Sequence, residues 1–179
     1  MPSIDAELRK RAKAIRLLVL DVDGVLTDGR LYFDNNGVET KAFNTRDGLG
    51  IKALQRSGIE VAVITGRESK IVSQRMSQLK IEHVYQGRED KLTAFNHLLE
   101  ATGFTANEVC FAGDDWIDLP VLVRAGLAVT VADADEHVKQ HVHWITQRKG
   151  GEGAVREICN LLLSAQGKDR AILSGFLAL

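Results

Sequence analysis

The sequence predicts an α/β fold of three layers, in which a central, mainly parallel β-sheet lies between helices. Short apolar runs typical of buried strands alternate with stretches of helical periodicity, which requires crossover connections and hence parallel strands. The first run, residues 17–20, passes directly into the acidic pair Asp21 and Asp23, followed by Gly24. Polar groups also follow later strands, as expected where the carboxyl ends of parallel strands form a ligand crevice.

Length and composition predict one domain of residues 1–179. The chain has 179 residues, 45% hydrophobic and 26% charged, with no internal repeat or linker, so it can bury one sizeable core. The formal net charge of −1 argues against nucleic acid or an anionic membrane surface as the main partner. No apolar run approaches the ~20 residues of a membrane-spanning helix, and residues 1–16 lack the apolar segment of a signal peptide. Cys110 and Cys159 lie in apolar patterns, which predicts buried thiols and, by default, the cytoplasm.

The first half of the chain contains a predicted β-hairpin. The segments 30–33 and 40–43 flank Asn36-Gly37, which is a strong hairpin signal. We expect this hairpin, about residues 30–44, to stand over the acidic pair as a flap or to form an edge for assembly. The other predicted elements are helices at 5–14 and near 49–57, strands at 60–64 and 83–85, and a helix after Ser69 with an apolar stripe at Val72, Met76 and Leu79.

The second half continues the same alternation of helices and strands. A helix follows Lys91 and ends at Gly103, and residues 109–112 read as a buried strand. The remaining predicted elements are a short helix at 119–124, strands at 127–131 and 144–146, a helix at 154–165 and a C-terminal tail, about 168–179.

The acidic pair after the first strand predicts a metal site or an acid/base pair. Two carboxylates held so close repel each other unless a cation or a proton lies between them. A calcium-binding EF-hand loop does not fit, because Val25 occupies its fifth position and a strand precedes it. A solvated acidic turn is the other interpretation of this stretch alone.

Polar groups of complementary kinds follow four predicted strands, and phosphate chemistry explains the set. Mg²⁺ suits Asp21, Asp114 and one backbone carbonyl together with a substrate phosphate. The Lys91 ammonium and the Thr65 hydroxyl can hold the same phosphate. Asp21 is then the predicted nucleophile, and Asp23 the group that protonates the leaving alkoxide and later deprotonates water.

These motifs resemble the haloacid dehalogenase superfamily of phosphohydrolases, which implies a Rossmann-like fold. The stretch Asp21-Val22-Asp23-Gly24 is similar to its first motif, Thr65 to its second and Lys91 to its third. Residues 113–118, with Asp114, Asp115 and Asp118, are similar to its fourth. Within the superfamily, residues 21–29, 46–52 and 150–157 resemble the 3-deoxy-D-manno-octulosonate 8-phosphate phosphatase family, whose members supply a lipopolysaccharide precursor. The resemblance extends over residues 17–168.

The resemblance implies a full set of site residues. Asp21 and Asp114 would bind Mg²⁺ with the main-chain carbonyl of Asp23, and Asp115 and Asp118 would lie behind these ligands. It also implies a homotetramer without a large cap domain, in which hairpins meet at the centre and a neighbouring subunit helps to close each site. The substrate site would be lined by Asp23, Asn44, Thr45, Arg46, Asp47, Gly48, Lys52, Arg67, Arg75 and Lys91.

A substrate with a phosphate at one end and a carboxylate at the other needs two groups of cations. Lys91 and the metal serve the phosphate. The candidates for the carboxylate are basic residues, because arginine binds carboxylates through two parallel hydrogen bonds; solvated helix charges are the alternative interpretation. These candidates are Arg46, Lys52, Arg67 and Arg75.

Other interpretations stay open. A phospho-receiver module also places aspartates, a threonine and a lysine at strand ends, but with its acceptor on a later strand. An inactive scaffold would be expected to lack Asp21, Asp23 or Asp114. A phosphatase for a nine-carbon, sialic-acid type sugar acid phosphate is the nearest alternative enzyme. A second metal site could be formed by His137, His141 and His143 with Asp133 and Asp135, although a solvated helix and loop is favoured there.

Overall fold

Strand β1 (Leu17–Leu20) lies in the middle of a six-stranded parallel sheet, because all four of its residues are apolar and buried. The computed structural model describes residues 5–178. The sheet order is β5-β4-β1-β6-β7-β8, and every pairing is parallel. This confirms the predicted parallel sheet. The other strands of this sheet are β4 (Glu60–Ile64), β5 (His83–Tyr85), β6 (Val109–Ala112), β7 (Leu127–Thr130) and β8 (Trp144–Ile145).

Helices cover both faces of this sheet and give the predicted three layers. The helices are α1 (Ala6–Ala14), α2 (Thr45–Arg56), α3 (Lys70–Leu79), α4 (Lys91–Thr102), α5 (Leu119–Leu122), α6 (Glu136–Lys139), α7 (Ala154–Ala165) and α8 (Asp169–Leu177). Leu18 and Leu20 of β1 face α1, α2, α3 and α7, whereas Leu17 and Val19 face α4, α5 and α6. Each of these fully buried side chains contributes roughly 1.5–3 kcal/mol through the removal of apolar surface from water.

Helix α2 begins four residues before the predicted start. Asn44 is its N-cap, and the Asn44 side chain accepts a hydrogen bond from the Arg46 N–H. The prediction relied on the apolar residues from position 49 onwards and missed this cap. The earlier start brings residues 45–48 into the first turn of the helix.

The predicted hairpin is confirmed, with shorter strands than expected. Strand β2 (Tyr32–Phe33) pairs antiparallel with β3 (Glu39–Thr40). The Asp34 carboxylate accepts hydrogen bonds from two turn N–H groups, and Gly37 adopts a φ of 77°. The pairing ends at Tyr32 and Thr40 and does not continue into residues 30–31 and 41–43, the remaining parts of the predicted strands. Among the described residues, no large cap domain accompanies this flap.

The predicted C-terminal tail contains helix α8. Ile172 of this helix packs against the core layer that contains α7. Met1–Ile4 and Leu179, the two ends of the predicted domain, lie outside the described residues. No helix in residues 5–178 is long and apolar enough to cross a membrane.

Candidate active site

The residues that follow β1, β4 and β6 lie side by side at the carboxyl edge of the sheet. Asp21 follows β1, Thr65 follows β4 and Asp114 comes two residues after β6. Strand β1 pairs with β4 on one side and with β6 on the other. The Asp21 N–H donates to the Ala112 carbonyl oxygen at 2.9 Å, which extends the β1–β6 register into the site.

Three carboxylates form the centre of the site. Each of Asp21, Asp114 and Asp118 offers an oxygen, and these oxygens all lie within 4.8 Å of one another. In the described part of the chain, no other group of three histidine, cysteine, aspartate or glutamate side chains is close enough to share a metal ion. The predicted alternative site at the histidines of residues 137–143 is therefore not formed.

The electrostatics of this group favour a bound cation. Burial raises the pKa of Asp21 to about 7, and the Asp118 carboxylate adds to this rise. Burial also raises the pKa of Asp114 to about 8, with Asp21 as the next contribution. Asp21 Oδ1 and Asp114 Oδ1 are buried without a hydrogen bond. Buried carboxylate oxygens without hydrogen bonds, in a cluster of acidic groups, fit a hard divalent ion such as Mg²⁺.

The turn after β1 brings the backbone against the Asp114 carboxylate. Gly24 has a φ of 90°, and a Cβ atom at this position would overlap that carboxylate. Only glycine combines this backbone conformation with this close approach. The glycine after the acidic pair is thus required by the contact between the first and fourth motifs.

Lys91 is the first residue of α4 and is buried among the carboxylates. Its Nζ lies 2.6 Å from Asp118 Oδ1 and 2.9 Å from Asp21 Oδ1. The contact with Asp21 is an ion pair only: its geometry is not that of a hydrogen bond, and Asp21 Oδ1 accepts none from the described residues. Burial lowers the pKa of Lys91, but the Asp21 and Asp118 carboxylates outweigh it, and the net shift is upward. The ammonium therefore stays charged in the site.

The two predicted supporting aspartates differ in position. Asp118 is fully buried, and its Oδ2 accepts hydrogen bonds from the Asp114 N–H at 3.0 Å and the Asp115 N–H at 3.2 Å. It fixes both Lys91 and the loop after β6. Asp115 is exposed, and its side chain caps the short 3₁₀ helix Trp116–Asp118 by accepting from the Trp116 N–H. Of these two side chains, it is that of Asp118 which contacts Lys91 and the backbone of Asp114.

Asp23 contacts a lysine that the sequence analysis did not select. Asp23 Oδ1 accepts a hydrogen bond from Lys41 Nζ, whose side chain is 2% exposed. Lys41 Nζ also lies 3.7 Å from Glu39 Oε1, and Arg67 donates to the same Glu39 oxygen at 2.6 Å. A usable signal was present: Glu39 and Lys41 are two residues apart, and side chains at this spacing share a face where the backbone is extended.

The second motif is held mainly by its backbone. Thr65 is buried, its N–H donates to the Tyr85 carbonyl oxygen at 2.9 Å, and its own carbonyl oxygen accepts from the Arg88 N–H at 3.0 Å. These bonds join the end of β4 to the loop between β5 and α4, the helix that carries Lys91. The hydroxyl of Thr65 makes no hydrogen bond with the described residues, so it is available to a ligand.

The predicted substrate residues at the start of α2 differ in their contacts and in their burial. Asn44 donates to the Gly151 carbonyl oxygen at 3.1 Å, which ties the end of the hairpin to the loop before α7. Asp47 is buried and accepts from the Arg156 N–H at 2.7 Å, so its carboxylate lies at the start of α7. Burial raises the pKa of Asp47, and the Arg156 N–H opposes this rise. Thr45 is exposed.

The predicted basic residues do not form one cluster. Arg67 is bound to Glu39, close to the Asp23 contact. The Arg75 guanidinium lies beside Gly48, and its carbon CZ is 5.9 Å from the centre of the Phe43 ring. Lys52 is an exposed residue of α2. Arg46 lines a separate cavity of about 350 Å³, together with Arg148, Gly153, Arg156, Glu157 and Asn160.

Comparisons with known proteins agree with this geometry. Residues 81–158 match the family of haloacid dehalogenase-like hydrolases. The chain is 52% identical to the 3-deoxy-D-manno-octulosonate 8-phosphate phosphatase KdsC of Escherichia coli (strain K12), over 92% of this chain and 88% of the relative. A probable YrbI family phosphatase from Pseudomonas syringae superposes with a TM-score of 0.95 at 52% identity, over 97% of this chain and 98% of that one.

A third relative comes from Moraxella catarrhalis. Its 3-deoxy-D-manno-octulosonate 8-phosphate phosphatase, crystallised with a magnesium ion, a phosphate ion and a KDO molecule, is 42% identical with a TM-score of 0.93. The alignment covers 95% of this chain and 98% of that one. The chain therefore belongs to the 3-deoxy-D-manno-octulosonate 8-phosphate phosphatase family of haloacid dehalogenase-like hydrolases.

Proposed function

We propose that the chain hydrolyses 3-deoxy-D-manno-octulosonate 8-phosphate to 3-deoxy-D-manno-octulosonate and phosphate, in the supply of lipopolysaccharide precursor. The observation that carries this proposal is the buried group of Asp21, Asp114 and Asp118 around the Lys91 ammonium. It occurs in a chain that is 52% identical to a phosphatase named for this substrate. No contact among residues 5–178 favours a receiver module or an inactive scaffold.

Mg²⁺ is the proposed cofactor, with Asp21, Asp114 and the Asp23 main-chain carbonyl as its protein ligands. The support is the pair of buried carboxylate oxygens without hydrogen bonds, together with the magnesium ion in the Moraxella catarrhalis complex. When bound, Mg²⁺ neutralises the carboxylates and the substrate phosphate, so that two anions can approach each other. Asp118 stays outside this set, because its oxygens already accept from Lys91 and from two backbone N–H groups.

The proposed reaction has two steps. An Asp21 carboxylate oxygen forms a bond to phosphorus while the bond from phosphorus to the sugar oxygen breaks, and Asp23 gives its proton to that oxygen. The Lys91 ammonium and the Thr65 hydroxyl hold the phosphate oxygens during the transfer. Asp23 then takes a proton from water, which attacks phosphorus and releases phosphate and the Asp21 carboxylate.

Arg67 is the first candidate for binding the substrate carboxylate. It already holds a carboxylate of its own chain, Glu39, at 2.6 Å, and its side chain remains 43% exposed. Arg46, Lys52 and Arg75 are secondary candidates. We place the turn Asn44, Thr45 and Gly48 along the sugar, whereas Asp47 fixes this turn to α7.

The assembly and the location are also proposals. Leu31, Tyr32, Phe33 and Val38 of the hairpin are 41–57% exposed apolar residues, and an exposed apolar patch of this kind is typical of an interaction surface. We propose that hairpins of this chain meet in a homotetramer. The free, buried thiols of Cys110 and Cys159 favour a reducing compartment, the cytoplasm. Residues 1–179 are proposed to form one phosphatase domain.

Steady-state assays with two phosphorylated sugar acids test the proposed activity. With Mg²⁺, kcat/KM is expected to be higher for the eight-carbon substrate than for the nine-carbon, sialic-acid type substrate, and a chelator should remove both activities. Asp21→Asn is the matched inactive control. A preference for the nine-carbon substrate would assign the chain to the alternative phosphatase class.

A further inference from the structure

We propose that Lys41 is a positioning residue for Asp23, and that it holds one carboxylate oxygen so that the other faces the leaving group of the substrate. This inference deepens the proposed phosphatase mechanism and rests on it. It assigns to the hairpin a direct part in proton transfer at the reacting centre.

The burial of Lys41 is the first observation. The Lys41 side chain is 2% exposed, although the hairpin that precedes it carries Tyr32 and Phe33 in solvent. A buried ammonium is costly unless it is paired and hydrogen-bonded. Its partners are the Asp23 carboxylate and, at 3.7 Å, Glu39 Oε1. The chain thus places a buried cation against Asp23 from an otherwise exposed element.

The geometry at Asp23 is the second observation. Oδ1 of Asp23 accepts from Lys41 Nζ and, at 3.5 Å, from the Thr27 hydroxyl. Oδ2 accepts no hydrogen bond from the described residues, and the side chain remains 20% exposed. With Oδ1 held by Lys41, Oδ2 is the oxygen of Asp23 that remains free to bind the leaving group. A proton donor must lie within hydrogen-bond reach of the oxygen that it protonates, so this orientation matters for the reaction.

Lys41 is also part of a series of ion pairs that connects the loop after β1 with the loop after β4. Arg67, two residues after Thr65, holds Glu39 at 2.6 Å, and Glu39 lies 3.7 Å from Lys41, which holds Asp23 of the first motif. Once Asp23 has given up its proton, each charge in this series has a partner of opposite sign. The series therefore fixes the hairpin to both loops, and Lys41 is its contact with the proposed proton donor.

The consequence depends on the leaving group. When Asp21 attacks phosphorus, the bond to the sugar oxygen breaks and its electron pair stays on that oxygen, which takes the proton from Asp23. The p-nitrophenolate ion is stable without this proton. Because kcat/KM reports only the steps up to the release of the alcohol, loss of Lys41 should affect the sugar phosphate more than p-nitrophenyl phosphate.

The experiment compares Lys41→Met with Lys139→Met, a control in which a lysine ion-paired to Glu136 at 2.7 Å is removed. For Lys41→Met we expect kcat/KM to fall at least roughly tenfold with the sugar phosphate and less than about threefold with p-nitrophenyl phosphate. Lys139→Met should leave both values unchanged. Circular dichroism and thermal unfolding check that each variant is folded, and Lys41→Gln replaces Lys41→Met if the latter is not.

A double variant separates positioning from a general structural role. In an Asp23→Asn background, Lys41→Met should cause no further fall with the sugar phosphate, because the residue through which Lys41 acts is already lost. Equal losses with both substrates, or additive losses in the double variant, would overturn the inference. If the wild-type chain cleaves p-nitrophenyl phosphate but no sugar acid phosphate, the proposed substrate fails instead. In that case kcat with p-nitrophenyl phosphate, which includes the later step in which Asp23 takes a proton from water, shows in the double variant whether Lys41 and Asp23 are coupled.

Discussion

Lys91 Nζ lies 2.6 Å from Asp118 Oδ1, and both side chains are completely buried. On its other side the same ammonium faces Asp21 Oδ1 at 2.9 Å. Taking an ion pair out of water costs about as much as the pair regains, so stability alone does not explain this arrangement. A fixed cation beside the proposed nucleophile does explain it, since the transferred phosphate needs positive charge at this position.

Lys91→Met should remove activity and destabilise the protein. Without the ammonium, the buried Asp118 carboxylate has no cationic partner, and we expect the free energy of unfolding to fall by roughly 3–5 kcal/mol. Urea unfolding measures this loss. The surface control Lys139→Met should change the free energy of unfolding by less than about 1 kcal/mol. Equal stability of the two variants would contradict the central position of Lys91.

Asp114→Asn should stabilise the metal-free protein at about pH 8, and less at about pH 5. Burial raises the folded-state pKa of Asp114 to about 8, whereas the unfolded side chain ionises near pH ~4. Between these values the folded protein binds a proton that the unfolded chain has lost, so the free energy of unfolding falls as the pH rises. The amide cannot ionise, so Asp114→Asn should avoid this loss, which amounts to about 1.4 kcal/mol for each pH unit between the two pKa values.

With Mg²⁺ bound, the wild-type protein should become more stable than Asp114→Asn at the higher pH. The ion is expected to stabilise the wild-type protein at the higher pH and to have little effect on Asp114→Asn, which has lost a proposed ligand. Thermal unfolding with and without the ion provides the comparison. A difference between the two proteins that depends neither on pH nor on Mg²⁺ would contradict the proposed metal site.

Arg67→Ala should weaken the binding of the sugar acid phosphate. Loss of a charged hydrogen bond to the substrate carboxylate predicts a rise in KM of roughly tenfold or more. With p-nitrophenyl phosphate, which has no carboxylate, KM should stay nearly constant. Arg124→Ala is the matched control, because Arg124 is an exposed residue that donates to the Pro120 carbonyl oxygen. An equal rise in KM with both substrates would remove Arg67 from the carboxylate site.

The sequence was sufficient for the parts of the fold that depend on local patterns. The apolar run before Asp21 identified β1, and the residues after it and after β6 do meet at one edge of the sheet. The start of α2 at Thr45 was missed because the cap at Asn44 precedes the apolar residues that gave the periodicity. Asp115 could not be separated from Asp118 by spacing, since the 3₁₀ turn between them decides which carboxylate is buried.

The long-range contacts of charged side chains were less predictable. Lys41 reaches Asp23 across 18 positions, and Arg67 reaches Glu39 across 28. These contacts depend on how the hairpin folds over the edge of the sheet, which no local pattern of residues specifies. The same reason explains why Arg46 and Arg67, both predicted to contact one substrate, line different parts of the surface.

Phosphorylation of Asp21 is the most direct test of the mechanism. Asp23→Asn should slow the hydrolysis of the phosphorylated intermediate, and p-nitrophenyl phosphate can form that intermediate without a proton donor. After an acid quench in the presence of Mg²⁺, peptide mass mapping should locate one phosphoryl group on Asp21. A phosphoryl group on another residue, or none in a variant that still turns over, would contradict the assignment of Asp21 as the nucleophile.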